Sequence, residues 1–319
     1  MKDSVIKNIL VNIRAFFHVN VNKRINENLN KIIALEEELD RQKIVSNVLF
    51  YFLHHPELAK AYSSELDYLY NTGNFCNFPY PSDPCPNDVV SGFDPDCQLP
   101  FVVHQSKRLY FPSTFSSDDA VKAYLNYIRV EKLLGIGERV DAPHQYQSPG
   151  FQVSEGDVVF DIGAAEGLFA LDQIDKASRV VVVESDPLWM KALKHTFAVY
   201  CNKVTIIDKF VSSSDTETSI SLGKLLSDFD YDSAFVKMDI EGYELPSITE
   251  AMEVLRQKKN MKLAVASYHK ENDAEKLKSI FDQLGYDSEF SGGYMLFSMY
   301  GTPLPPYFRK GIVRAKHKG

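Results

Sequence analysis

Between residues 158 and 268 the chain repeats one pattern: a short run rich in Val and Ile, then a longer segment with helical spacing. The runs are VVFDIG at 158–163, RVVVVES at 179–185, VTIID at 204–208, AFVKMDI at 234–240 and KLAVASY at 262–268. Short apolar runs of this kind suit strands buried on both faces, and strands separated by helices predict βαβ units around a mostly parallel sheet. Two more runs, GYDSEF at 285–290 and YMLFSMY at 294–300, are joined by Ser291, Gly292 and Gly293 and predict an antiparallel hairpin at the sheet edge. The fold class is therefore α/β, with a Rossmann-like sheet of seven strands.

The first third has a different texture. Ile6, Ile9, Leu10, Ile13, Phe16 and Phe17 recur at helical spacing and predict an amphipathic helix over residues 5–17. A second helix follows from Ile25, Leu29, Ile32, Ile33, Leu35 and Leu39, with Glu36, Glu37, Glu38 and Arg41 on its wet face; a third spans about 45–69 and breaks near Pro56. From 71 to 100, Pro, Asp, Asn, Cys and aromatics accumulate around FPYPSDPCPNDV, which sustains neither a helix nor a central strand. A strand-like run, FVVHQSKRLYF, then precedes a helix whose start is marked by Ser116, Ser117, Asp118 and Asp119. The predicted division is a helical N-terminal region with a Pro- and aromatic-rich loop at 1–115, an α/β domain at 116–302, and a basic tail at 303–319 that reads as a solvated end at least as readily as an anion-binding one.

Charge excludes some partners. With 35 Lys plus Arg against 43 Asp plus Glu, the net charge of -8 opposes broad contact with nucleic acid or an anionic membrane. The longest apolar runs, such as Val180 to Val183, fall far short of the roughly 18–20 residues of a membrane span. Asn8, Asn12 and Arg14 interrupt the apolar N-terminus and no small-residue cleavage site follows, so the expectation is a cytoplasmic protein without a secretory signal. Cys76, Cys85 and Cys97 lack the CxxC spacing of a zinc site and read as loop or core residues.

The chemistry concentrates where strands end. In VVFDIGAAEG, Asp161, Gly163, Glu166 and Gly167 close the first strand and open a helix, and glycines there let backbone approach a ligand. Glu184, followed by Ser185, ends the next strand, where a carboxylate can accept from both ribose hydroxyls. A nucleoside is the expected ligand. A pyrophosphate needs a GxGxxG loop without a competing anion, whereas this loop has two glycines and Glu166; a sulfonium and an ammonium instead favour Asp161 and Glu166. The residues therefore favour S-adenosylmethionine over NAD. In FVKMDIEGYE, alternation puts Lys237 and Asp239 on one face with Glu241 just beyond, at the crevice where open α/β sheets bind ligands. His269, past the end of the following strand, emerges at the same edge and has an ordinary pKa suited to a general base.

Together, DIGAAEG, VVVES, KMDIEGYE and the SYHK run before a GY hairpin resemble the FkbM family of S-adenosylmethionine-dependent methyltransferases over roughly residues 140–300. The resemblance implies the seven-stranded methyltransferase sheet, S-adenosylmethionine as methyl donor, and O-methylation of sugars or natural-product hydroxyls. It implies that Asp161, Gly163, Ala164 and Gly167 hold the amino-acid part of the cofactor, Glu184 the ribose, and that Asp208 and Phe210 border the adenine. Asp239 and Glu241 match the motif after the fourth strand.

Methyl transfer is an in-line displacement, so alignment and exclusion of water are the main demands; a hydroxyl acceptor also calls for a base, His269 or Asp239, or for a metal. Asp239 and Glu241 offer oxygen ligands for Mg²⁺, and metal dependence stays open. Three function classes fit the sequence: an O-methyltransferase on a small-molecule or glycan acceptor, an NAD-dependent sugar-modifying enzyme, and a non-catalytic scaffold acting through its helical N-terminus. The first 115 residues are expected to border the acceptor pocket, with Phe75, Phe78, Tyr80, Phe93 and Tyr110 able to stack on a sugar, and to offer a homodimer contact.

Overall fold

The computed structural model describes residues 2–73, 89–131, 142–298 and 301–318, with the side chains of 2–24, 26–27 and 128–131 left out. It divides into two compact units, Met1–Cys76 and Asn77–Gly319.

The first unit is helical, as the apolar spacing predicts, but its first two expected helices and the part of the third before the break near Pro56 are one. α1 runs unbroken over Lys2–His54, because no Gly or Pro interrupts residues 2–54. Pro56 ends it and opens the short α2 (Pro56–Ala59), whose first turn tolerates the missing N–H. After a 3₁₀ turn comes α3 (Ser63–Thr72), stopped by Gly73 in the left-handed conformation. Val45, Val48 and Phe52 of α1 are buried together with Leu69 of α3.

The second unit starts earlier than the sequence suggests, taking in residues 91–110. The strand-like run 101–111 is a hairpin: β2 (Leu99–His104) turns at Gln105 and Ser106, both with positive φ, into β3 (Lys107–Tyr110). β1 (Ser91–Asp94) completes this three-stranded sheet, and α4 (Ser117–Glu131) follows. Ser116, Oγ bonded to Asp119, marks the start of α4 as expected. Phe75, Phe78, Tyr80, Cys76 and Cys85 lie outside the described residues; Cys97 is a free thiol.

The large sheet holds all five expected parallel strands: β4 (Val158–Ile162), β5 (Arg179–Glu184), β6 (Val204–Asp208), β9 (Ala234–Met238) and β10 (Met261–Ala266). Between them lie α5 (Leu168–Gln173), α6 (Pro187–Thr196), the small pair β7 (Phe210–Ser212) and β8 (Ser219–Ser221), α7 (Leu222–Ser227), α8 (Glu244–Glu250) and α9 (Met252–Gln257). α10 (Asp273–Gln283) leads to β11 (Tyr286–Phe290).

The expected edge hairpin is corrected. Met295–Leu296 forms β12, which leaves the large sheet and pairs with β13 (Phe308–Arg309). The partner of β11 is β14 (Ile312–His317), which inserts antiparallel between β11 and β10, giving the order β11-β14-β10-β9-β4-β5-β6. The segment expected to be a solvated basic tail thus supplies an interior strand, with Ile312, Val313, Arg314 and Ala315 buried. Its cations disguise the pattern, yet a long aliphatic stem can lie in a core when its head finds acceptors. The sheet packs on both faces: Val159, Val180, Val182 and Phe235 meet α5 and α6 residues on one side, and Phe160, Val181, Val236 and Val265 meet α7, α9 and α10 residues on the other. This two-sided burial is why the strands read as continuous apolar runs.

Candidate functional site

A cavity of about 330 Å³ opens at the carboxyl ends of β4, β5 and β9, the edge where a parallel sheet leaves its crevice. Gly163, Glu184, Ser185, Phe210 and Asp239 line it, together with Ala165, Asp186, Trp189, Lys209, Glu241 and Tyr243.

Glu184 is fixed by the turn it faces. One carboxylate oxygen accepts from the Ala165 amide at 2.8 Å, and the other from Ser185 and Asp186 amides, both at 2.7 Å. A carboxylate has about four lone-pair sites, so capacity remains for a ligand. Trp189, in the first turn of α6, backs onto Phe111 and Phe115 at centroid distances of 6.4 and 6.1 Å, so the segment preceding α4 supports the cavity wall. Phe93 is exposed and Tyr110 packs on His195, so neither ring faces the cavity.

The two glycines serve the protein's own packing. Gly163 has φ 71°, and a Cβ there would sit 1.8 Å from the Asp239 carbonyl oxygen; at Gly167, φ 81°, it would meet Leu193 and Phe197. The loop is close because β4 and β9 are paired neighbours whose ends lie side by side. Asp161, Ala164, Glu166 and Gly167 lie behind the wall, and Asp208 is exposed beside it. Asp161 is fully buried: one oxygen accepts from the Ala170 amide at 3.1 Å and the other lies 3.1 Å from Lys237 Nζ. Lys237 also donates to the Gly163 carbonyl at 2.6 Å, tying β9 to the loop after β4. Glu166 is buried nearby, its pKa pushed up to about 7 by burial and the Asp161 charge, against the pull of Lys237.

Asp239 is the meeting point of four side chains from two segments, the loop before β4 and the stretch after β10. Its carboxylate accepts from Tyr146 Oη at 2.8 Å, from Tyr268 Oη at 3.0 Å, and lies 3.1 Å from His144 Nε2 and 3.4 Å from His269 Nε2. Burial opposes its charge, but the His144 bond and the nearby His269, His144 and Lys237 charges outweigh burial and hold it well below the usual carboxylate range. Burial and the adjacent Asp239 push Tyr268 far up, so it keeps its proton and donates.

His269 sits at the expected edge, buried, with Glu244 3.0 Å from Nδ1 and Glu241 3.3 Å from Nε2. Burial would lower its pKa, yet hydrogen bonds to Glu241 and Glu244 and the charges of Asp239 and Glu244 push it up to about 10. At neutral pH it is an imidazolium with both nitrogens protonated, which donates and cannot accept. Asp239, Glu244 and His269 bring ligand-type atoms within 4.8 Å of one another. A Mg²⁺ fit is poor, because Asp239 and Glu244 approach opposite ring nitrogens, whereas one ion needs its ligands converging in an octahedron.

The sequence reading passed over His144, Tyr146 and Tyr268. Their delivery depends on the C-terminal strand. Arg314 donates to the Gln145 carbonyl at 2.7 and 3.2 Å, Ser291 Oγ donates to the Pro143 carbonyl, and Gly311 lies so close to Pro143 that a Cβ would be 1.9 Å from its oxygen. Arg309 clamps the Tyr268 and His269 carbonyls at 2.8 and 3.1 Å. Tyr268 alone carried a local signal, standing beside His269 in the SYHK run.

No family model matches this chain, and no curated protein matches it. Solved structures do. The methyltransferase FkbM of Methylobacillus flagellatus KT is 19% identical with a TM-score of 0.44, covering 62% of this chain and 54% of its own. Precorrin-6y C5,15-methyltransferase of Geobacter metallireducens GS-15 is 13% identical, covering 52% of this chain and 83% of its own, with a TM-score of 0.36. Trm5b of Pyrococcus abyssi is 15% identical, covering 71% and 61%, with a TM-score of 0.35.

Proposed function

We propose that the chain is an S-adenosylmethionine-dependent methyltransferase of the FkbM type that methylates a hydroxyl of a sugar, glycan or natural product. The observation that carries this reading is the charge of the cavity: Glu184, Asp186, Asp239 and Glu241 line it against one cation, Lys209, whose ammonium is turned to the Thr216 carbonyl at 3.2 Å. Such a wall disfavours a pyrophosphate and suits a ligand carrying a sulfonium and an ammonium. Glu184 takes the ribose hydroxyls at the end of β5, while Phe210 and Trp189 offer faces for a base. Asp161, Glu166 and Gly167 support this wall from behind.

Catalysis then rests chiefly on alignment within a partly dry site. Asp239 holds the acceptor hydroxyl, kept in one orientation by Tyr146, Tyr268 and His144. His269 acts as a fixed cation that orients Asp239 and Glu241; Asp239, held ionised, accepts the hydrogen bond of the acceptor hydroxyl, whose proton passes to water as the carbon–sulfur bond breaks and the new oxygen–methyl bond forms. Incubation with methyl-labelled S-adenosylmethionine and a panel of sugar and polyketide hydroxyls tests the reading. Label in a product, with release of S-adenosylhomocysteine, is expected; label transferred only to nitrogen or carbon acceptors contradicts the O-methylation assignment.

A further inference from the structure

α1 presents a row of exposed apolar side chains, none of which lines the cavity. Ile25, Ile32 and Leu39 recur every seven residues, as do Asn28, Leu35, Gln42 and Leu49 three residues later. These are the a and d positions of a heptad: Ile25, Ile32, Leu39, Ser46 and Leu53 at a, and Asn28, Leu35, Gln42 and Leu49 at d, with Ile in the first two a positions and Leu at two of the four d positions, a pattern compatible with two parallel strands. Ile25, Ile32, Leu35 and Leu39 are 51–69% exposed, and Leu53, at the next a position but one, is 75% exposed. The face buried with α3, formed by Val45, Val48 and Phe52, lies beside the seam at positions g and c, and of the d residues Gln42 donates to the Gly73 carbonyl that ends α3 at 2.9 Å. At about 1.5 Å per residue the seam from Ile25 to Leu53 is roughly 42 Å long. A lone helix of this length in water would leave that stripe wet, and no described helix is apolar enough to cross a membrane.

The flanking charges say what covers it. Lys31 and Glu38 occupy g positions, and Glu36 and Lys43 occupy e positions. In a parallel, in-register pair each g residue faces the e residue five positions on in its partner. Lys31 then meets Glu36 of the other copy, and Glu38 meets Lys43, in both directions. Every charged g–e pair over this stretch is attractive. We propose that residues 25–53 form a parallel two-stranded coiled coil with a second copy of this chain, with the polar d residue Asn28 fixing its register.

Sedimentation of the full chain over a wide concentration range tests this. The wild type is expected to form a dimer, and Leu35→Asp to abolish it while α1 stays helical by circular dichroism. Lys31→Glu and Glu36→Lys each place like charges across the seam and should raise the dimer dissociation constant about tenfold. Mixing the two variants restores opposite charges in both pairs, so heterodimers should form with near-wild-type affinity. A monomer at all concentrations, a dimer indifferent to Leu35→Asp, or a mixture that fails to recover would each overturn the proposal; the last is the outcome for an antiparallel pair or a different partner. Cofactor binding is measured in parallel and should be the same in all variants, since none touches the cavity.

Discussion

The hydroxyl of Tyr146 donates to the carboxylate of Asp239 at 2.8 Å across 93 residues of sequence. The bond joins the loop before β4 to the end of β9, and it fixes the one cavity carboxylate that also faces Tyr268, His144 and His269. The site's polar floor is therefore set by tertiary contacts.

Tyr146→Phe removes that donor from a charged acceptor, an interaction worth about 1.5–3 kcal/mol. Turnover should fall about tenfold or more at saturating acceptor, with cofactor affinity within twofold of wild type, as read by steady-state kinetics beside calorimetry. Equal losses in cofactor binding would mean that Asp239 serves the cofactor and not the acceptor.

Arg314→Ala leaves the Gln145 carbonyl without its donor in a buried setting and opens space inside the sheet. A loss of about 2–4 kcal/mol in urea unfolding is expected, larger than for an exposed lysine such as Lys318. Activity should fall more steeply than stability, because the segment bearing His144 and Tyr146 is released.

His269 has a folded pKa near 10 against 6.5 unfolded. A raised pKa means that its stabilising contribution is fully present below about pH 6.5 and is lost as pH rises through about 10. The wild type should therefore lose stability over that window relative to His269→Gln. In nitrogen-resolved NMR at pH 7.5 the ring should be protonated at both nitrogens. A neutral ring at that pH would restore His269 as the general base.

The parallel strands, Glu184 at the end of β5 and Asp239 at the end of β9 were legible because strand period and strand-end position are local properties. Gly163 was legible as a special turn residue, although what crowds it is Asp239, a contact that only the pairing of β4 with β9 creates. β14 was not legible: Lys316 and His317 break the apolar run, and the acceptors that let Arg314 be buried come from residue 145. His144 and Tyr146 were hidden for the same reason. Nor could periodicity separate one long helix from two, since the face continues through residues 17–25 without a breaker.

The central claim, that this acidic cavity binds S-adenosylmethionine, is tested most directly by calorimetric titration of S-adenosylhomocysteine and of NAD into the wild type and Glu184→Ala. S-adenosylhomocysteine should bind at one site per chain and lose about one to two decades of affinity in the variant, and NAD should give no heat. No binding of S-adenosylhomocysteine, or NAD binding that depends on Glu184, would contradict the account.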